Sequence, residues 1–163
     1  MDTLVLHKDK KELVKSYRAN ILKLEKEMHN LPGAMVGDCC PLTHTFGDGC
    51  YVREIFLPAG MVHITKIHKK DHPYFILKGH VAVATEEGYV EIKAPFHGIT
   101  KAGTKRLIYV CTDTVWVTVH VTKSKDIKEI EDEVIAKTFD DLQKEGSDVD
   151  KINQSLLTEK VQE

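Results

Sequence analysis

The residues best placed to do chemistry lie between Gly60 and Gly79, in the stretch GMVHITKIHKKDHPYFILKG. It reads as two short strands, 62–68 and 73–77, with His68 and His72 on either side of the charged corner Lys69-Lys70-Asp71. A neutral imidazole offers a lone pair to a divalent metal, and its pKa near neutrality also suits general acid–base work. Side chains alternate across a strand, so Lys66 shares a face with His68, Ile64 and Val62. An ammonium beside imidazole N–H groups suits a phosphate or carboxylate. Metal ligation, anion binding and acid–base chemistry at His68 and His72 therefore stand open together.

A second cluster of ligand types is Cys39-Cys40 followed by His44. Zinc fingers need two ligand pairs at defined spacing, and no second pair is present, so these residues read as a semi-buried loop cluster. The 4 cysteines form no CxxC pair, which argues against a disulfide framework.

The elements that must position these residues follow from periodicity. From Lys8 to about Asn30, apolar Leu13, Tyr17, Ile21, Leu24 and Met28 recur at three- and four-residue steps, marking an amphipathic helix that Leu31-Pro32-Gly33 ends. Residues 34–50, rich in Gly, Pro, Asp and Cys, read as an irregular loop. Residues 51–122 hold short runs of Val, Ile, Thr and Tyr, with strands expected at 51–57, 62–68, 73–77, 80–85, 89–94, 98–101, 106–111 and 115–121. No helical period interrupts them, which predicts an antiparallel sandwich or jelly-roll barrel. Asp126-x-x-Glu129 then resembles a capping box opening a C-terminal helix over 123–146, with Ile127, Ile130, Val134, Phe139 and Leu142 as its stripe. Residues 147–163 read as a weak helix or frayed tail.

Length and charge bound the rest. The 163 residues, 42% hydrophobic, suffice for one core with appendages. A net charge of -2 predicts no pull toward a nucleic-acid polymer or anionic membrane, and no apolar run approaches a membrane span. The expected location is cytoplasmic. Helices outside a small barrel must bury their stripes, which predicts a homodimer or higher symmetric oligomer.

The central region resembles a cupin, a small jelly-roll barrel whose first motif reads G, five residues, HxH, three or four residues, E, six residues, G. With Gly79 as the closing glycine, His72 stands at the glutamate position, His68 at the second histidine and Lys66 at the first. The second motif, PxGxxH, is matched by Lys101-Ala102-Gly103-Thr104-Lys105-Arg106, which keeps the glycine and replaces the metal-binding histidine with Arg106. The pieces CPLTHTF, YVREIFLPAG, KIHKKDH, AGTKR and DTVW also resemble small cupin-like proteins encoded by tailed bacteriophages and prophages.

The resemblance implies that Lys66, His68, His72, Tyr74 and Arg106 meet inside a barrel. An ammonium and a guanidinium donate no lone pair, so the family's full four-ligand set is not present. His68 and His72 form an incomplete set for one divalent metal (Zn, Fe, Mn or Ni), which His44, His63, His97, His120 or Asp113 could complete. The competing reading is a basic pocket of Lys66, His68, His72 and Arg106, with Lys105 as a further candidate, for a small anion, with Tyr74 and Trp116 offering flat faces to a base or ring. Trp116, between Val115 and Val117, also fits a core position, and Arg106 could instead pair with Asp113, Glu54 or Asp71. Three functions follow: a phage-type binder of a nucleotide or of a phosphorylated or carboxylated metabolite, sequestering a host defence signal in the host cytoplasm; an enzyme on such a ligand, either a hydrolase or isomerase or a metal-dependent oxygenase; or an accessory phage protein with no small-molecule activity.

Overall fold

The computed structural model describes residues 10–35 and 37–142. In chain order these form α1 (Lys10–His29), β1 (Leu42–Gly47), β2 (Cys50–Leu57), β3 (Val62–Ile64), β4 (Ile67–His68), β5 (His72–Thr85), β6 (Gly88–Lys93), β7 (Phe96–Thr100), β8 (Leu107–Val121), α2 (Ile127–Val134) and β9 (Ile135–Ala136). The expected fold class holds: mainly β, all strand pairs antiparallel, a jelly-roll barrel with a helix on either side. No helix among the described residues is long and apolar enough to cross a membrane.

Two long strands close the barrel, because each serves different neighbours along its length. The first half of β5 pairs with β7 and the second with β6. The start of β8 pairs with β3 and its end with β2, while β5 and β8 pair with each other throughout. A sheet whose central strands change partner midway must bend, and the register between β5 and β8 shifts in the bend, between Ile76 and Val81. Gly79 sits there at φ +100°, and a Cβ on it would stand 2.5 Å from the Asp113 carbonyl oxygen. The irregularity changes the parity of the inward face, from His72, Tyr74 and Ile76 to Val81 and Val83, so the core stays apolar through the bend. The Lys78-Gly79 turn expected between two strands is therefore a kink within one strand.

Other expected boundaries move for local reasons. The strand expected over 62–68 breaks at Thr65-Lys66, and the pairs expected over 73–85 and 106–121 each join into a single strand. The presumed loop 34–50 contains β1, whose residues alternate half-buried and exposed against β2. Asp126 caps α2 by accepting from the Glu129 N–H, but the return half of a capping box is missing: Ser124 Oγ accepts from Asp126 N–H and donates to the Glu129 carboxylate. The chain turns extended after Val134, where Ile135–Ala136 pairs with β4, so the helix is shorter than its stripe suggested. The expected tail over 147–163 lies outside the described residues.

The main core gathers Leu57, Ile76, Val81, Val83, Ile108, Val110 and Trp116. Tyr51, Ile130 and Val134 form a second cluster beneath α2. Helix α1 lies against the barrel through Ile21, its buried residue. Polar ties fix it: the single Tyr17 Oη hydrogen is shared between the Ala84 and Lys105 carbonyls, each 2.9 Å away, Arg18 pairs with Glu86 at 3.0 Å, and Lys105 pairs with Glu25 at 2.8 Å rather than joining a basic pocket.

Candidate functional site

Between the barrel strands and the two helices lies a cavity of about 550 Å³. Strand alternation fills its wall: Tyr51, Arg53 and Ile55 of β2 and Trp116, Thr118 and His120 of β8 all face it. The β2–β8 register sets Tyr51 opposite His120, and the β5–β7 register sets His72 opposite Thr100.

Three imidazoles converge there. His68, His72 and His120 each offer a nitrogen within 4.8 Å of the other two, and no other group of three or more His, Cys, Asp and Glu among the described residues is so arranged. The ring centroids of His68 and His72 are 4.2 Å apart and those of His72 and His120 are 4.4 Å apart. His72 Nδ1–H donates to the Lys70 carbonyl at 3.2 Å, which leaves Nε2 unprotonated with its lone pair free. That Nε2 is buried without a hydrogen-bond partner, and so is His68 Nδ1. His120 Nε2 bonds to Thr118 Oγ1 at 3.2 Å.

Burial, the other two imidazoles and the Arg106 cation push the His68 pKa down to about 2. Burial and His72 lower that of His120 to about 4, and burial followed by Arg106 lowers that of His72 against the opposing Lys70 hydrogen bond and Asp71 charge. All three are therefore neutral near neutral pH, the state in which imidazole ligates metal. The same shifts bear on acid–base work at His68 and His72, which pairs one imidazolium with one neutral ring; with both pKa values lowered, both rings are neutral near neutral pH. Buried nitrogens without partners, one with its other face fixed by a backbone carbonyl, fit a divalent transition metal. Of the five residues expected as candidates to complete the set, His120 is the one that joins His68 and His72 in the cluster. His44 bonds Tyr51 Oη at 2.7 Å, and Asp113 accepts from the Ala59 N–H.

Arg106 is 8% exposed and stands beside this cluster, 4.9 Å above the Tyr74 ring and 5.8 Å above Trp116. Tyr74 and Trp116 stack on each other at 5.0 Å. Gly98, opposite Tyr74, makes room for that ring, since a Cβ there would meet it at 2.9 Å. None of the carboxylates expected to balance Arg106 does so. Asp71 holds Lys101 and the Ala102 N–H, Asp113 is engaged at Ala59, and no carboxylate among the described residues, Glu54 included, forms an ion pair with the guanidinium. Lys66 lies at the rim, exposed and bound to Glu131 of α2 at 2.6 Å. The turn carrying Arg106 is tied to the histidine strand, for Gly103 N–H donates to the His68 carbonyl at 2.8 Å.

No protein-family model matches the chain, and no curated protein matches its sequence. Solved structures with a similar fold include a cupin superfamily protein from Desulfitobacterium hafniense, with 10% identity, 53% of this chain and 81% of that one, and TM-score 0.44. Another is an RmlC-like cupin family protein with a double-stranded β-helix fold from Methanocaldococcus jannaschii, with 14% identity, 55% and 87% coverage, and TM-score 0.42. A third is a salicylate 1,2-dioxygenase from Pseudaminobacter salicylatoxidans, with 16% identity, 66% of this chain but 32% of that one, and TM-score 0.46. Likenesses this distant carry nothing about what this chain binds.

Proposed function

We propose that the barrel binds a small anionic molecule beside a divalent transition metal held by His68, His72 and His120. The observation that carries this reading is the pair of buried, unpartnered nitrogens, His68 Nδ1 and His72 Nε2, within the three-histidine cluster. A buried polar atom without a partner costs about 1–3 kcal/mol, a cost that metal ligation would remove. Zinc, iron, manganese and nickel all accept imidazole, and such an ion supplies Lewis-acid polarisation of a bound oxygen. Arg106 would meet the negative charge of the ligand, and the stacked Tyr74 and Trp116 would hold the guanidinium in place.

Metal content of the purified chain, followed by titration of the stripped protein with Zn²⁺, Fe²⁺, Mn²⁺ and Ni²⁺, tests the centre. One equivalent retained or regained, and lost in His72→Gln, is expected. A protein that takes up none of the four ions sinks the metal half of the reading. The anion half stands on a separate observation, the buried Arg106 without a carboxylate partner, and would survive as a metal-free binder. The likeness to phage-encoded proteins extends the proposal to a nucleotide or phosphorylated metabolite sequestered in the host, with phosphate suited to a guanidinium.

A further inference from the structure

The cysteine pair that the histidine centre leaves unused stands elsewhere on the same cavity wall. Cys40 is buried and Cys39 exposed, with their sulfurs 4.0 Å apart. Met61, in the turn between β2 and β3, brings its Sδ to 3.6 Å from Cys40 Sγ. The turn is held in place, since Met61 N–H donates to the Pro58 carbonyl and Val110 N–H donates to the Met61 carbonyl. Cys40 Sγ thus stands within 4.0 Å of both a second thiol and a thioether, the latter from a position 21 residues away in the chain.

We infer that Cys39, Cys40 and Met61 form a second, soft metal site, suited to a monovalent copper ion. Three sulfurs each about 2.3 Å from an ion in their plane lie about 4 Å from one another, close to both spacings observed. Thiolate and thioether donors select copper(I) among biological cations. Zinc would call for a fourth ligand in a tetrahedron, and among the described residues no histidine, carboxylate or third cysteine joins the pair in a group. Copper enters as copper(I) and leaves as copper(I); each thiol gives up its proton on ligation, so two protons are released and no electron moves. Burial and the neighbouring Cys39 push the Cys40 thiol up to about 11, so its proton leaves only on ligation; Arg53, which bridges to Asp38 at 3.5 Å, opposes that rise.

The site does not rest on the histidine centre, and variants separate the two. The full chain is reduced, stripped of metal and titrated anaerobically with copper(I) against a chromophoric copper(I) chelator, with circular dichroism confirming the fold. One equivalent should be withdrawn from the chelator. Cys39→Ser, at an exposed position, should weaken binding by about a hundredfold or more, and Met61→Leu by about tenfold. The double variant His68→Gln/His120→Gln should bind copper(I) as the parent does. Copper retained by Cys39→Ser, undiminished in Met61→Leu, or lost with the histidines would each overturn the assignment.

Discussion

His72 of β5 and Thr100 of β7 stand directly opposite each other, and each buries a polar atom, Nε2 and Oγ1, that finds no hydrogen-bond partner. The two atoms differ in use, because the nitrogen has a lone pair directed at a candidate metal centre and the hydroxyl is an ordinary buried donor left unpaired. Thr100→Val removes the hydroxyl at constant shape. We expect the metal-free protein to gain about 1 kcal/mol, read as a higher urea midpoint at unchanged slope. A loss of stability would mean that Oγ1 is satisfied, by an ordered water for example.

The histidine cluster makes stability depend on acidity in a definite sense. In the unfolded chain each ring takes up a proton near pH 6.5, whereas the fold holds His120 down to about 4 and His68 down to about 2. Between those values the unfolded state binds more protons, so stability present above pH 6.5 is lost as pH falls, first through 4 and then toward 2. Urea midpoints measured from pH 7.5 to 4 should decline, and His120→Gln should flatten the decline. A midpoint independent of pH over this range would contradict the burial of neutral imidazoles.

Arg106 presents the opposite case, a cation buried without a carboxylate. Replacing it with methionine keeps most of the length and removes the charge, so the ligand-free protein should be no less stable and can gain about 1 kcal/mol. The same change should abolish any thermal shift produced by phosphate, nucleotides or carboxylated metabolites. Stabilisation by one of these that persists in Arg106→Met would place the anion elsewhere.

The pair Lys105–Glu25 fastens α1 over the barrel, with Lys105 only 6% exposed and also donating to the Thr65 carbonyl. Glu25→Gln leaves that ammonium buried with less compensation, at a cost of about 2 kcal/mol, moderated because Glu25 keeps contact with solvent. Adding Lys105→Met in the same chain should recover most of the loss in denaturant unfolding. Additive losses in the double variant would show that the two side chains do not act on each other.

The barrel was legible in the sequence because alternation and turn residues are local signals, and most strand centres fell where they were expected. Strand β1 was not, since Gly, Pro and Cys around Leu42–Gly47 mask a six-residue alternation that only pairing with β2 makes structural. Gly79 signals a break by its type alone, and whether the break is a turn or a kink depends on β8 lying alongside. His68 and His72 were visible through their spacing around a corner. His120 was one of five residues that could complete the set, and its place beside His72 comes from the long-range register of β5 with β8, which sets Tyr74 opposite Thr118. Lys66 shares a strand face with His68 on paper, but the chain breaks between β3 and β4 and sends it to Glu131.

The hydrogen bond from Gly103 N–H to the His68 carbonyl makes the main chain a gauge between the cationic and imidazole ends of the cavity. Arg106 follows three residues after that fixed point, so the span between the two ends is set by the chain between Gly103 and Arg106. Exchanging side chains within the cavity would alter its chemistry, whereas adding or deleting one residue between Gly103 and Arg106 would alter the distance between its two ends.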